Sequence, residues 1–287
     1  MNAHLQPPAG ELDIAGALAW ARTHIDQMDA RVLLRHVLQC PAARLVAWPE
    51  HKLAGEDWTE YLGLVERRAA GEPVAYLTGT REFYGREFMV TPAVLIPRPE
   101  TELLVELALA HFPGRRGVRA LDMGTGSGAL AVTLALEMDA PEVIALDRSR
   151  EALWVAMANA AKLGASVSFV QSDWFDALGE EHFELIVANP PYIATADPHL
   201  EQGDVRFEPR SALAAGVRGL DDLAEIVAGA PARLTGGGWL FLEHGYDQAV
   251  AVRGLLADAG FAAIASWTDL AGIERVSGGR WLGRGQR

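Results

Sequence analysis

The sequence predicts an α/β fold, in which a parallel sheet is covered by helices on both faces, preceded by a small helical domain. From Val118 onwards, short apolar strands alternate with helical segments, which is typical of βαβ units. Residues 11–78 instead carry apolar side chains at helical spacing, with no alternating strand pattern. The length of 287 residues suits about two domains.

Composition restricts the class of protein. The chain has 25 Lys and Arg against 38 Asp and Glu, a formal net charge of −13, which disfavours binding along a nucleic-acid backbone. The single cysteine, Cys40, excludes a disulfide framework and a thiolate metal cluster, and the histidines show no ligand spacing. The N-terminus lacks the basic start and apolar core of a secretory signal, and no apolar stretch is long enough for a membrane span. We therefore expect a cytoplasmic protein with no metal, no membrane partner and no direct nucleic-acid partner.

The helical domain is predicted over residues 1–78, with apolar positions at helical spacing from Leu12 and a break at Pro41. Residues 79–98 are rich in aromatic and β-branched residues between glycines, which predicts a hairpin-like linker. A helix is then predicted after Pro99, because proline is tolerated best in the first turn of a helix.

The third part, residues 99–287, carries the sheet. Apolar runs predict five strands in turn, at residues 118–124, 142–147, 167–173, 183–190 and 236–244. Helices are predicted between them, and residues 261–269 and 274–283 are expected to complete the sheet. Ligands of such sheets bind beyond the carboxyl ends of the strands. The candidate site therefore lies in the loops that follow these strands.

A glycine-rich loop follows the first strand of this sheet. Asp122 stands at the strand end, and the loop itself consists of Gly124, Thr125, Gly126, Ser127 and Gly128. Glycines let the backbone turn tightly and let a ligand approach bare peptide N–H groups. Two interpretations stay open, a ligand loop whose Asp122 carboxylate faces a ligand ammonium, and a tight turn without a ligand.

Asp147 closes the second strand, about twenty residues beyond the first glycine, where an acid commonly accepts hydrogen bonds from ribose hydroxyls. The alternative is that Asp147 caps the following helix, a role for which Ser149 is a rival. Together, the loop and the acid indicate an adenosine-containing cofactor, either a dinucleotide or S-adenosylmethionine.

The loop after the fourth strand reads Ala188-Asn189-Pro190-Pro191-Tyr192. Two prolines end the strand and fix an extended backbone. Because proline has no N–H, the loop presents mainly acceptors, the Asn189 side-chain oxygen and the Pro190 carbonyl. These suit the two hydrogens of a planar –NH2 group, on which the Tyr192 ring can stack. A plain rigid turn is the alternative.

The strings DMGTGSG, ALD, SDWF and ANPPY, in that order, resemble those of a Rossmann-like class I S-adenosylmethionine-dependent methyltransferase. An NPPY motif in this setting is shared by adenine-N6 DNA methyltransferases and by the HemK/PrmC family. The stretches at residues 73–79 and 83–85 and the string IPRPETE at residues 96–102 are similar to the HemK/PrmC family. The resemblance covers essentially the whole chain.

This resemblance implies that S-adenosylmethionine is the cofactor. Gly124 to Gly128 would hold its methionine end and Asp147 its ribose, while Asp173 and Trp174 fall where the family contacts adenine. An ordinary core position is the alternative for Trp174. Asn189 would lie between the cofactor and the substrate.

The resemblance also implies the substrate, the glutamine in the GGQ motif of class 1 peptide chain release factors, methylated on its amide nitrogen by in-line transfer. Asn189, Pro190, Pro191 and Tyr192 would bind this glutamine, and Asn189, Pro190 and Tyr192 would be catalytic. Arg98 and Glu100 would shape the pocket wall or form a structural ion pair. The helical domain would dock the release factor, and we expect a monomer.

Three other functions compete with this one. A nucleic-acid adenine methyltransferase would also use NPPY, but the net charge of −13, the lack of a Lys/Arg-rich recognition segment and the IPRPETE string oppose it. A dinucleotide-dependent oxidoreductase would have no use for NPPY. A non-enzymatic module that senses the cofactor would be favoured by an altered NPPY, which the sequence does not show.

Overall fold

The computed structural model describes Leu5 and residues 12–283. The chain forms two compact units, Met1–Thr80 and Arg81–Arg287. Most of the N-terminal stretch on which the secretory-signal prediction rests lies outside the described residues. Among the helices of the described part, none has both the length and the apolar character needed to cross a bilayer.

The first unit is helical, as predicted. Its helices are α1 (Ile14–Ala21), α2 (Gln27–Val37), α3 (Ala42–Ala47), α4 (Gly55–Ala69) and α5 (Val74–Thr78). Asp13 and Asp26 cap α1 and α2, each side chain accepting a backbone N–H of the first turn. The fully buried Tyr61 of α4 donates a hydrogen bond to the Ala30 carbonyl of α2 at 2.9 Å, so this buried phenol has a partner.

A two-stranded hairpin begins at the boundary between the units, with β1 (Thr80–Phe83) and β2 (Arg86–Met89). The turn residues Tyr84 and Gly85 both have positive φ, 51° and 72°, the backbone that suits a tight hairpin. Phe83 and Phe88 are buried in the core of the second unit. From Arg81 onwards, the segment expected to be a linker is therefore part of that unit.

The second unit is built on a seven-stranded sheet. Its strands are β3 (Arg119–Met123), β4 (Glu142–Asp147), β5 (Val167–Gln171), β6 (Phe183–Ala188), β7 (Leu234–Glu243), β8 (Ala262–Thr268) and β9 (Glu274–Arg280). The spatial order is β5-β4-β3-β6-β7-β9-β8. Strands β3 to β7 are parallel, whereas β9 is antiparallel to both neighbours. The connection from β8 to β9 is too short for the crossover that a parallel pair requires.

Helices cover both faces of this sheet. They are α6 (Glu102–His111), α7 (Ala129–Glu137), α8 (Arg150–Leu163), α9 (Asp221–Gly229) and α10 (Ala249–Asp258). Successive residues of β3 enter different cores, Ala120 with residues of α6 and α7, and Leu121 with residues of α9 and α10. This alternation places β3 at the centre of a sheet buried on both sides, which confirms the predicted fold class.

The strand order fixes the position of the site. Chain connections leave β3 in one direction to β4 and return on its other side as β6, which makes the β3–β6 boundary a topological switch point. Met123 pairs with Leu146 of β4 and with Ala188 of β6. The glycine loop, Asp147 and the NPPY loop therefore leave the sheet side by side.

Candidate active site

A cleft opens at the carboxyl ends of β3, β4 and β6. Most of the predicted cofactor residues line it, together with Pro191: Gly124, Thr125, Gly126, Ser127, Asp147, Asp173, Trp174 and Asn189. Apolar side chains, among them Val94 and Leu130, complete the wall. A mixture of bare backbone, carboxylate and apolar surface suits a ligand that carries both a charged end and a flat ring.

The glycine loop turns through three left-handed residues, Gly124, Gly126 and Gly128, with φ of 74°, 55° and 82°. Gly128 does not line the cleft. A Cβ atom there would lie 3.0 Å from the Ala156 Cβ and 3.1 Å from its Cα, so this glycine permits close contact between the loop and α8. Gly128 therefore has a packing role here, and its role at the methionine end of the cofactor stays a prediction.

Asp147 forms hydrogen bonds with the backbone of the glycine loop and with the residue that precedes α8. Its Oδ2 accepts the Gly126 N–H at 2.9 Å, and its Oδ1 accepts the Ser149 N–H at 2.8 Å. Ser149 is the residue that caps α8, through the Ala152 N–H, so Asp147 is free of that role. Burial raises the pKa of Asp147, and the two backbone hydrogen bonds oppose this shift.

Asp122 has a different environment from the one expected. Its side chain is completely buried, and Oδ2 accepts hydrogen bonds from the Thr125 hydroxyl at 2.6 Å and the Ala131 N–H at 3.2 Å. The Asp122 carboxyl therefore links the glycine loop to the start of α7 by hydrogen bonds. It does not face a ligand ammonium in the cleft. Burial raises the pKa of Asp122 to about 7, and Oδ1 has no hydrogen-bond partner in the described structure.

Trp174 lines the cleft and also packs on the core around α9, a position that is compatible with both interpretations of this residue. Its backbone has an unusual φ of 38°, a strained conformation for a large side chain. The indole Nε1 donates to Asp222 Oδ1 at 3.3 Å, and the ring faces Gly124, where an added Cβ would lie 3.6 Å away. Asp173 next to it is exposed.

The NPPY loop borders a second cavity that adjoins the cleft, and Asn189 lines both. Pro190 and Tyr192 line only this adjoining cavity, with Arg98 and Ile193. The Tyr192 carbonyl accepts a hydrogen bond from Gln248 Nε2 at 2.9 Å. The structure therefore brings together the three residues expected to be catalytic, on the wall between two cavities.

The NPPY side chains are held by Thr101, which lies within the IPRPETE string, and by Glu243, which the sequence analysis did not single out. Asn189 Nδ2 donates to the Thr101 hydroxyl at 3.0 Å, which donates to Glu243 Oε2 at 2.6 Å. The Tyr192 hydroxyl donates to the other oxygen of Glu243 at 3.2 Å. Burial raises the pKa of Glu243 to about 7. A carboxylate at the end of β7, on the ligand edge of the sheet, is the signal that could have identified it.

Arg98 forms an ion pair with Glu208, whose side chain is fully buried, and also lines the adjoining cavity. Glu208 accepts the Ile96 N–H at 3.0 Å as well. Arg98 therefore both lines the wall of a cavity and forms an ion pair. Its partner in that pair is Glu208 and not Glu100. No sequence pattern marks Glu208, which lies among short turns.

Comparison with known proteins decides the family. Residues 14–79 match the PrmC N-terminal domain and residues 100–204 match the methyltransferase small domain. The release factor glutamine methyltransferase of Burkholderia pseudomallei is 53% identical over 90% of this chain and 93% of its own length. That of Bordetella pertussis is 51% identical over 89% of this chain and 95% of its own.

The chain belongs to the release factor glutamine methyltransferase family. The resemblance inferred from the motifs is thus confirmed, and the protein is an S-adenosylmethionine-dependent methyltransferase. A Thermus thermophilus 16S rRNA N2 G1207 methyltransferase, solved with AdoMet and guanosine, shares the fold, with a TM-score of 0.53 and 24% identity over 70% of this chain and 49% of its own. A Pyrococcus furiosus methyltransferase shares it too, with a TM-score of 0.53 and 18% identity over 76% of this chain and 96% of its own.

The cleft of this methyltransferase fits the cofactor by the chemistry of its lining. The loop of small residues leaves room for the amino-acid end, since nothing lies within 4 Å of a Cβ added at Gly126. Asp147 offers carboxylate oxygens at the end of β4, where ribose hydroxyls are commonly bound. The Trp174 ring supplies a flat apolar surface beside Asp173.

Proposed function

We propose that this protein methylates the side-chain amide nitrogen of the glutamine in the GGQ motif of class 1 peptide chain release factors. The observation that carries the proposal is the position of Asn189, on the wall shared by the cofactor cleft and the adjoining cavity. A glutamine side chain in the adjoining cavity would meet the methyl donor at that wall. The relatives from Burkholderia pseudomallei and Bordetella pertussis are release factor glutamine methyltransferases, which is the same reaction class.

In this proposal the NPPY loop binds the substrate amide through its two hydrogens. An amide nitrogen is a poor nucleophile, because its lone pair is delocalised into the carbonyl group. The Asn189 side-chain oxygen and the Pro190 carbonyl accept one hydrogen each, which holds the lone pair on the axis of attack. The same acceptors stabilise the positive charge that grows on the nitrogen during the reaction.

Tyr192 and Pro191 shape the substrate position. Pro191 lines the cleft, while Tyr192 lines the adjoining cavity. Burial raises the pKa of Tyr192, and the neighbouring Glu243 carboxyl raises it further, so the phenol stays neutral and donates to that carboxyl. Its ring then presents a fixed face on which the planar amide of the substrate stacks.

On the cofactor side, the loop from Gly124 to Gly128 binds the methionine end, Asp147 binds the ribose hydroxyls, and Asp173 and Trp174 contact the adenine. S-adenosylmethionine would supply an activated methyl group on sulfur: as the bond from the amide nitrogen to the methyl carbon forms, the bond from sulfur to that carbon breaks in line, S-adenosylhomocysteine leaves, and the nitrogen loses one proton to water. The protein needs only to align the two partners about 3–3.5 Å apart.

The proposal includes the partner protein. The helical unit, residues 14–78 in the described structure, would dock the folded release factor, with the enzyme acting as a monomer and without direct contact to nucleic acid. Exposed apolar side chains on this unit, Val46 and Trp48, offer contact surface for a protein of this kind.

The test uses the purified protein with S-adenosylmethionine labelled in its methyl group. One sample contains a class 1 release factor, a second the same factor with the GGQ glutamine changed to alanine, and a third duplex DNA. We expect label only in the first sample, on the glutamine side chain. Label in the DNA, or in the alanine variant at the level of the first sample, would contradict the proposal. A chiral methyl group should be transferred with inversion if the transfer is in line.

A further inference from the structure

A hydrogen-bonded chain of side chains in the second unit joins three separate parts of the sequence. It runs from Asn189, after β6, through Thr101, in the turn before α6, to Glu243, at the end of β7. Tyr192 joins the same Glu243 carboxyl from the other side. Thr101 and Glu243 are 5% and 1% exposed, so water does not compete readily for these bonds.

The hydrogen-bonded chain has a fixed direction from donor to acceptor, because a hydroxyl group has only one hydrogen to donate. The Thr101 hydroxyl donates that hydrogen to Glu243 Oε2 at 2.6 Å. Its oxygen must then act as an acceptor toward Asn189, and it receives the Nδ2–H at 3.0 Å. The nitrogen end of the Asn189 amide is therefore held at Thr101, and the oxygen end remains for another partner.

This direction matters because the two ends of an asparagine amide have nearly the same shape and opposite hydrogen-bonding character. A rotation of 180° about the last side-chain bond would replace the acceptor with a donor. A donor at this position would repel the –NH2 group of a glutamine and would bind its carbonyl oxygen instead. The substrate would then bind in an unproductive orientation.

We infer that Thr101 and Glu243 are positioning residues, which fix the orientation of the Asn189 amide so that its oxygen accepts from the substrate –NH2 group. The inference rests on the proposed function and extends it to two residues outside the NPPY loop. Glu243 binds the hydroxyls of both Thr101 and Tyr192, so one buried carboxyl orients side chains from both ends of the loop.

The protonation state of Glu243 bears on this direction. Burial, with a smaller effect of the nearby Glu100, raises the pKa of Glu243 to about 7, while the hydrogen bonds from Thr101 and Tyr192 and the positive charge of Arg275 oppose this shift. Above that pH the carboxylate has only acceptor oxygens, so both hydroxyls donate to it and the direction of the hydrogen-bonded chain is set.

The first test removes one hydroxyl without changing the shape of the side chain. Thr101→Val should lower kcat for release-factor methylation by at least ~10-fold without raising KM, because unproductive binding lowers kcat and not the affinity. The dissociation constant of S-adenosylmethionine should change by less than about twofold. Thr101→Ser keeps the hydroxyl and should recover kcat to within about threefold of the wild-type enzyme.

Thr133 of α7 provides a matched control for this substitution. This threonine is fully buried, and its hydroxyl has no partner among the described residues. Thr133→Val makes the same chemical change away from the site and should leave kcat within about twofold of the wild-type value. A kcat for Thr101→Val equal to that of the control, or a loss that Thr101→Ser does not recover, would overturn the inference.

A second pair of variants tests the carboxyl itself. Glu243→Gln keeps an oxygen that accepts from Thr101, and its –NH2 group donates to the Tyr192 hydroxyl. Glu243→Leu has a similar volume and no acceptor. We expect Gln to retain most of the wild-type kcat and Leu to lose as much as Thr101→Val. Equal losses of kcat in the two variants would show that a hydrogen-bond acceptor at position 243 is not required, which would overturn the inference.

A spectroscopic measurement separates this inference from the proposed function. The Nδ2 hydrogens of Asn189, assigned in the nitrogen-15 spectrum by their disappearance in Asn189→Ala, should exchange slowly with water in the wild-type protein and faster in Thr101→Val. If the wild-type protein fails to methylate a release factor, the proposed function is wrong and the exchange rates still decide the orientation of Asn189. Equal exchange rates in the two proteins would overturn the inference.

Discussion

Asp147 Oδ2 accepts the backbone N–H of Gly126 at 2.9 Å, so the end of β4 holds the middle of the glycine loop. The same strand-end carboxylate lines the cleft. Asp147 therefore connects the sheet, the loop and the cofactor site, and the first prediction concerns this residue.

Asp147→Ala should weaken S-adenosylmethionine binding at least ~10-fold, since it removes a ribose acceptor and releases the Gly126 N–H. Isothermal titration calorimetry measures the dissociation constant. The matched control is Glu151→Ala, an acidic side chain in the exposed first turn of α8, which should bind as the wild-type protein does. An unchanged affinity in Asp147→Ala would remove the ribose role.

Asn189→Ala should leave cofactor affinity within about threefold of the wild-type value while lowering kcat ~10²–10³-fold, the usual effect of deleting one preorganised polar partner. The small change in affinity is expected because Asn189 lies at the border of the cleft and contacts the reacting amide. Calorimetry and release-factor methylation are measured on the same sample. Normal turnover by this variant would refute the acceptor role.

Gly128→Ala should destabilise the protein more than Gly164→Ala. Both glycines have positive φ, 82° and 72°, so each substitution costs about 1–2 kcal/mol in backbone strain. Only at Gly128 does the new methyl also meet the Ala156 backbone, whereas nothing lies within 4 Å at Gly164. Urea unfolding of both variants measures the difference in free energy, and equal losses would contradict the packing role of Gly128.

The free energy of unfolding should fall as the pH rises from 5 to 7. Burial raises the pKa values of Asp122 and Glu243 to about 7, so the folded protein keeps protons that the unfolded chain has already lost in this range. Each group lowers the free energy of unfolding by up to ~1.4 kcal/mol per pH unit.

Asp122→Asn isolates one of these two contributions. The amide has the same shape, and its oxygen accepts from Thr125 and Ala131 in place of Oδ2. The slope between pH 5 and 7 should become shallower, because the contribution of Asp122 is then removed. Denaturant unfolding at a series of pH values gives the slope. A variant with the same slope as the wild-type protein would show that Asp122 is ionised throughout this range.

Val46→Ser combined with Trp48→Ala should raise KM for the folded release factor several-fold and leave KM for a short GGQ peptide unchanged. Both side chains are exposed on the helical unit, at 74% and 56%, and a docking surface there would contact only the whole protein. Trp154→Ala, which changes an exposed tryptophan of α8, is the control. Equal KM values for the factor in all three proteins would exclude docking through Val46 and Trp48.

The motifs located the cleft correctly because they follow strands. Apolar runs ending in Asp122, Asp147 and Ala188 predicted three parallel strands, and the carboxyl ends of such strands share one edge. The sequence therefore predicts that the glycine loop, Asp147 and Asn189 lie near one another. It could not place β9 between β7 and β8, because the order and direction of the last two strands depend on which neighbour each strand pairs with.

Local periodicity and the backbone constraints of glycine and proline are sufficient to predict the α/β class, the helical first unit and the residues at the strand ends. Tertiary structure alone decided the hydrogen-bond partners. Thr101, Asn189 and Glu243 are separated by many tens of residues, and only the strand order and the turn before α6 bring them into contact. The direction of a hydrogen bond is a property of that contact, so no local pattern encodes it.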